Sequence, residues 1–536
     1  MTKRMCGALA GTGILVFATA LQSQERPEPI DYPMLSAIRD EGLQHSQVMD
    51  HVGWLADVYG PRLTGSPGFR QAADWAQKKF AEWGLVNIHK EPWAFGKSWS
   101  LVRFSAHMIE PQISPLIGFP KSWTPGTKGT VTAEVMRVDI SSETDFEKYR
   151  GKLAGKIVLT QPARDVKMLD GIIVSRWNND LIKEAESTPL TAPAGEGRGG
   201  RGPTLAEKTQ QFFAREGVVA AIDRGGDQFV AGDNQMSWRA ERADGGTIFV
   251  MSGGPHENDR AGKDLVPQIV LAVEHYNRMI RVLEKNIPVK MELNVEVKFY
   301  DETEPNGFNV VADLPGGELS NEYVLLGAHL DSHHSATGAT DNAAGSAVMM
   351  EAMRILKGLG VKPRRTIRVA LWGGEEEGLL GSKAYVKQHL VDTDAKMVKP
   401  EYQNLAAYYN LDNGTGGIRG VWLQENLAIA PIFKAWMATM KDLDVPGALA
   451  PRSVSGSDYQ SFDEVGIPAF QFMQDRLEYN SRTHHSNMDT VDRVQRDDLV
   501  QASIVVASFA YETAMRPEKL PRKAGPYNAH ATAETK

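Results

Sequence analysis

His329 and Asp331 close the apolar run YVLLGAHL, and Asp341 follows ten residues after Asp331, at what reads as the mouth of a helix. Imidazole and carboxylate groups delivered at a strand end can hold a divalent cation, and an open α/β sheet keeps its site at the carboxyl ends of its strands. The arrangement recurs along the chain. The run TIRVALWGG leads directly into Glu375, Glu376 and Glu377, three carboxylates that repel one another unless a cation or a proton intervenes. LAAYYNLD ends at Asp412, and PAFQFMQ is followed by His484 and His485 in SRTHHSNMDT. A lone His-x-Asp is more often structural, and a lone acidic turn is usually a solvated one. Four strands that all end in ligand-type residues are hard to explain by four separate structural reasons.

The elements that must position these groups follow from hydrophobic periodicity. From about residue 291 the pattern alternates strand and helix, with strands at ELNVEVKFY, FNVVADL, YVLLGAHL, TIRVALWG, LAAYYNLD and PAFQFMQ, and helices starting after Asp341, Gly378, Glu425 and Asp497. This predicts an α/β fold, a mostly parallel mixed sheet sandwiched by helices. Upstream, apolar spacing over 31–60 predicts two short helices. Ser66 and Pro67 open a third helix, which Gly84 ends, and residues 85–91 read as a strand. Between 125 and 290 the texture changes to short β-like runs (TVTAEVMRV, GKIVLTQ, GVVAAID, GTIFVMS, VPQIVLAV) separated by Gly, Pro and Ser. If the early helices belong with the later alternation, this β-rich region is an insertion. The glycines of 191–204 read as a flexible loop, since no strand leads in and no GKS or GKT follows to make a phosphate loop.

At 536 residues the chain exceeds one compact core. A net charge of −8, with Lys and Arg scattered rather than gathered in a stripe, argues against a nucleic-acid partner. Lys3 and Arg4, an apolar run through Phe17, and Ala18-Thr19-Ala20 follow the order of a secretory signal cleaved near Ala20. Its apolar core is shorter than the roughly 20 residues a membrane span needs. The expected location is therefore periplasmic or secreted, with no stable membrane association after cleavage. The single cysteine, Cys6, lies inside that segment, so the mature chain gains stability from packing and bound metal rather than disulfides.

The residues HLDS, TDNAAG, GGEEEGLLGS, NLDNGTG and HHSNMDT, in this order and spacing, resemble the co-catalytic zinc exopeptidases of the bacterial leucyl aminopeptidase, aminopeptidase Y and carboxypeptidase Q kind. The resemblance covers Phe308 to about Met515, with weaker support from GPRLTGSPGFRQAADW. The β-rich region resembles, more loosely, the protease-associated domain that such enzymes often carry. The implied organisation is a signal at 1–20, catalytic domain at 21–124 and 291–516, inserted protease-associated domain at 125–290, and a disordered tail at 517–536.

The resemblance implies two zinc ions per chain, held by His329, Asp341, Glu376, Asp412 and His485. Asp341 would bridge, with His329 and Asp412 on one ion and Glu376 and His485 on the other, and Glu375 would be the general base. Physical reasoning agrees, because paired ions acidify a shared water and polarise a carbonyl, and an unligated carboxylate beside them can carry its proton. Asp331 could accept the second ring proton of His329 and so fix its tautomer. His484 stands where many relatives carry an aromatic that supports the tetrahedral intermediate. It, His333 and Arg482 are the candidates for touching substrate or intermediate; His334 is left between pocket and solvent, and Asp458 is expected to support its loop.

The expected function is an exported zinc exopeptidase taking peptide substrates, foremost an aminopeptidase. Alternatives are a dipeptidase or carboxypeptidase Q-like activity in which Arg482 grips a carboxylate, a one-zinc glutaminyl-cyclase-like enzyme, or a catalytically silent receptor-like protein.

Overall fold

Two eight-stranded sheets organise the chain. The computed structural model describes residues 27–166, 168–169, 171–187, 204–225, 229–231, 239–250, 265–300, 305–452 and 456–527. The segment expected to be a secretory signal, nearly all of the glycine-rich stretch 191–204 and the last nine residues lie outside them.

The first sheet is built from β1 (Val86–Trp93), β2 (Gly307–Leu314), β3 (Leu319–His329), β4 (Arg365–Trp372), β5 (Leu405–Asn410), β6 (Ile418–Trp422), β7 (Ala448–Ala450) and β8 (Ala469–Gln474). Their order is β1-β2-β4-β3-β5-β8-β6-β7. The neighbours β4, β3, β5 and β8 run parallel, while β1, β2 and β6 attach antiparallel. The expected mixed α/β sheet is present. Alternation along β3 explains why it is covered twice. Val324, Leu326 and Ala328 join the core under the helices Ala344–Gly358 and Arg496–Met515. Tyr323 and Leu325 point to the opposite core, with Trp372, Tyr385 and Phe462. The helix Pro67–Trp83 starts where Ser66 accepts the N–H of Phe69 at 3.3 Å and stops at Gly84, whose φ of +77° suits a residue without a Cβ.

The second sheet departs from the expected boundaries. Its core strands include Val131–Arg137, Ile157–Leu159, Ala220–Asp223 and Gln268–Leu271, but also Ser98–Glu110 and Lys290–Tyr300. These last two pair antiparallel over most of their length, so ELNVEVKFY belongs to this sheet and not to the alternating unit. Ser98–Glu110 is a long strand that sequence reading missed. One of its faces is mostly half-buried, and there Arg103, Ser105 and His107 interrupt the apolar run.

Two further differences concern connections. The stretch 173–187 leaves the β-rich unit and packs on the first sheet. Ile182 and Ala185 cluster with Trp422, Ala448 and Met473, and Trp177 Nε1 donates to Gln474 O at 2.7 Å. Arg176 pairs with Asp475 at 2.7 Å and Asp498 at 2.9 Å. The tail expected to be disordered from 517 is ordered through 527. Leu520 is buried, Arg522 donates to the carbonyls of Tyr402 and Leu405 at 2.7 and 2.8 Å, and Lys523 pairs with Asp463 at 2.6 Å. A proline-rich composition misled there because three anchoring side chains, not a periodic face, hold the segment. Among the described residues no helix is long and apolar enough to cross a membrane.

Candidate metal centre

The four parallel strands deliver their carboxyl ends to one crevice, where such sheets bind ligands. His329 is the last residue of β3, Glu375 and Glu376 follow β4, Asp412 follows β5, and His484 and His485 lie in the loop after β8. Asp341 comes from the non-helical turn before Ala344–Gly358, and its peptide bond to Asn342 is cis.

His329 Nε2 lies 3.1 Å from Asp341 Oδ1 and 3.3 Å from Asp412 Oδ1. His485 Nε2 lies 3.4 Å from Asp341 Oδ2 and 3.0 Å from Glu376 Oε2. Asp341 thus faces both groups with different oxygens. His333 Nε2 is also 3.0 Å from Glu376 Oε2, and its ring centroid is 4.3 Å from that of His485. Sequence reasoning left His333 undecided; the fold brings it into the second group. His334 turns the other way, its Nε2 2.6 Å from Pro120 O and its ring edge-on to Trp99.

The electrostatics are those of a cation site. Burial, then Glu376, raises the Asp341 carboxyl, and burial with Asp412, Asp458 and Glu376 holds Glu375 well above the usual carboxylate range. Burial opposes charge on Glu376 too, but His333 and His485 outweigh it and hold that carboxyl well down. Burial likewise opposes charge on His329, where Asp412 and its neighbours prevail and raise it well above 6.5. Asp341 Oδ2 and Glu376 Oε1 are buried without a hydrogen bond, an arrangement that leaves oxygens ready for a metal. The donor sets His329–Asp341–Asp412 and His333–Glu376–His485 each gather within 4.8 Å. Imidazole and carboxylate donors at this spacing fit zinc.

Asp331 behaves differently from expectation. The Nδ1 of His329 is 3.0 Å from the Asp331 main-chain carbonyl and 3.6 Å from its carboxylate, so the carbonyl is the acceptor that sets the tautomer. The carboxylate instead accepts the N–H groups of Glu375 at 3.3 Å and Glu376 at 3.2 Å, and the Thr64 hydroxyl at 3.1 Å. Ser457 donates to Asp412 Oδ2 at 2.6 Å, and Asp489 accepts the N–H groups of Thr340 and Asp341 at 2.5 and 3.1 Å. These supports were invisible in sequence because each is remote from the group it holds.

His484 lies tilted against Tyr479 with ring centroids 4.6 Å apart, and its Nε2 is 3.7 Å from Asp341 Oδ2. Burial, then His485, pushes its ring well below 6.5. Tyr479 was not singled out in the sequence, although it stands five residues before His484. Arg482 already has a carboxylate partner. Its guanidinium pairs with Glu478 at 3.2 Å, which also holds Arg493 at 3.2 Å. Asp458 is buried beside the cluster and burial pushes its carboxyl up to about 7.

Residues 309–510 match the model of Peptidase family M28. The resemblance to co-catalytic zinc exopeptidases is borne out, and the chain is a hydrolase of the metallo-exopeptidase class. Among its relatives, carboxypeptidase Q of Homo sapiens is 25% identical over 488 residues, spanning 90% of this chain and 88% of the relative. A Peptidase M28 precursor from Shewanella amazonensis has the same fold, with a TM-score of 0.62 at 24% identity over 92% of this chain and 99% of that one. The structure of BSAP, a zinc aminopeptidase from Bacillus subtilis, superposes with a TM-score of 0.54 at 18% identity over 94% and 98% of the two chains.

Proposed function

We propose that this chain is an exported two-zinc exopeptidase that hydrolyses the amino-terminal peptide bond of its substrates. The observation that carries the reading is the position of Asp341 between two donor groups, with His329 against its Oδ1 and in turn against Asp412, and His485 against its Oδ2. His329, Asp341 and Asp412 would hold one ion, and Asp341, Glu376 and His485 the other. Zinc so held supplies Lewis-acid polarisation of the scissile carbonyl and acidification of water.

The chain's own groups do the rest. Glu375 takes a proton from the attacking water and returns it to the leaving amine, a task suited to a carboxyl whose buried site raises its proton affinity. Asp331 anchors the backbone from which Glu375 and Glu376 project. In this reading His484, beside Tyr479, donates toward the substrate oxygen. The surplus of carboxylates around the crevice favours an α-ammonium group, which supports attack at the amino end. The region from Ser98 to Tyr300 serves as an inserted protease-associated-like domain, and the amino-terminal charge and apolar pattern supports export.

The test is digestion of a peptide library read by mass, with free and acetylated amino termini, with and without a chelator. Chelator-sensitive loss of one residue from free amino termini alone is expected. Equal cleavage of blocked and free peptides would refute attack at the amino end. The second reading, a dipeptidase or carboxypeptidase Q-like activity, is favoured by the cation Arg242 described next.

A further inference from the structure

The segment 242–250 of the β-rich unit runs along the loop that carries His484 and His485. Ala243 N donates to Ser481 O at 2.8 Å, Asn487 N to Ile248 O at 3.1 Å and Val250 N to His485 O at 3.1 Å, and Phe249 forms a bridge with Ser486. Arg242 opens this segment and lays its guanidinium carbon 3.6 Å from the centre of the Phe249 ring. The cation is thereby held flat against an aromatic face one residue pair away from a predicted metal ligand.

Among the described residues no carboxylate pairs with Arg242. Asp244, two residues on, is taken by Arg164, with contacts of 3.0 and 2.6 Å. The Nε of Arg242 is shut off from water and makes no hydrogen bond. Burial, with Arg164 adding repulsion, pushes the guanidinium down to about 10, and its charge reaches His484. A partly buried cation without a counter-ion is costly, and Arg is the side chain best shaped to take a carboxylate in a two-pronged grip. Arg482, in the same loop, is already engaged by Glu478, which it shares with Arg493.

We propose that Arg242 is a carboxylate subsite: it receives the free C-terminal carboxylate of a short peptide whose amino-terminal bond lies at the metal centre. The substrates are then dipeptides and other short free peptides, and the β-rich unit contributes directly to specificity. This rests on the exopeptidase reading above for the position of the scissile bond, but the carboxylate grip itself can be measured without turnover.

The experiment compares a panel of Xaa-Ala dipeptides with the same panel as C-terminal amides, in the zinc-loaded wild type, Arg242→Gln and Arg242→Lys. The wild type is expected to favour the free acids in kcat/KM by about 30-fold or more, the usual scale for losing one partner of a desolvated charge pair. Arg242→Gln should lower the free acids to the level of the amides while leaving amide cleavage and zinc content unchanged, and Arg242→Lys should recover part of the preference. Equal wild-type cleavage of acids and amides, or an equal fall for both in Arg242→Gln, would overturn the proposal. Calorimetric binding of the same dipeptides to Glu375→Gln gives the second arm. Preference for the acid that disappears in the Glu375→Gln, Arg242→Gln double variant supports the subsite even if neither panel is cleaved, an outcome that would remove the peptidase reading alone. Equal affinity for acid and amide would overturn the subsite whatever the activity.

Discussion

Asp331 accepts the backbone N–H of Glu376 through Oδ2 at 3.2 Å, while its Oδ1 accepts that of Glu375 at 3.3 Å. One carboxylate after β3 thus fixes the main chain that emerges from β4, and with it the direction of two acidic side chains. Asp331→Asn turns one acceptor into an NH2 group facing an N–H donor. The expected result is a 10–100-fold loss in zinc affinity or turnover, on the scale usual for groups that orient metal ligands. Chelator competition and kcat/KM measure it, and wild-type values in both would refute the anchoring role.

Glu375→Gln removes a proton acceptor and no proposed ligand. Turnover should fall by about 10²–10⁴-fold while two zinc ions per chain remain by elemental analysis. Loss of a zinc ion in this variant would mean that Glu375 is a ligand.

Asp341→Asn replaces a carboxylate that faces both donor groups. Both ions should bind more weakly, and because metal binding adds to folding free energy, the melting temperature should lose its chelator sensitivity. Retention of two tightly bound ions would exclude the bridging role.

His389 lies away from the metal centre, its Nδ1 3.2 Å from Glu401 and its Nε2 against Glu91. Burial opposes its charge, but hydrogen bonds to Glu401 and Glu91 prevail and hold it at about 9, above the ordinary 6.5. A folded-state value above the unfolded one stabilises the protein fully below the unfolded pKa, and the gain is lost as pH rises through the folded value. His389→Gln should therefore lower the urea midpoint relative to wild type at about pH 6, with the gap closing by about pH 10. A gap that does not depend on pH would show that the histidine contributes packing alone.

The strand ends were legible because β3, β4, β5 and β8 each carry a mainly apolar run, so ligand-type residues at its end or in the loop beyond it stand out. Their spatial order was not, since β3 lies between β4 and β5 through pairings distant in sequence. His333 and His334 look equivalent in the string HHS; only the fold turns one to Glu376 and the other to Pro120. Arg242 was invisible for a different reason, because what distinguishes it is the seat on Phe249 and, among the described residues, the lack of a carboxylate partner. The boundaries of the β-rich unit slipped because Ser98–Glu110 and Lys290–Tyr300 define each other by pairing, and neither announces its partner.

The hydrogen bond from Val250 N to His485 O staples the β-rich unit to the backbone of a residue proposed to grip metal. Removing that donor, as in Val250→Pro, should lower zinc retention in chelator competition, and wild-type retention would show that the staple does not steady the metal site.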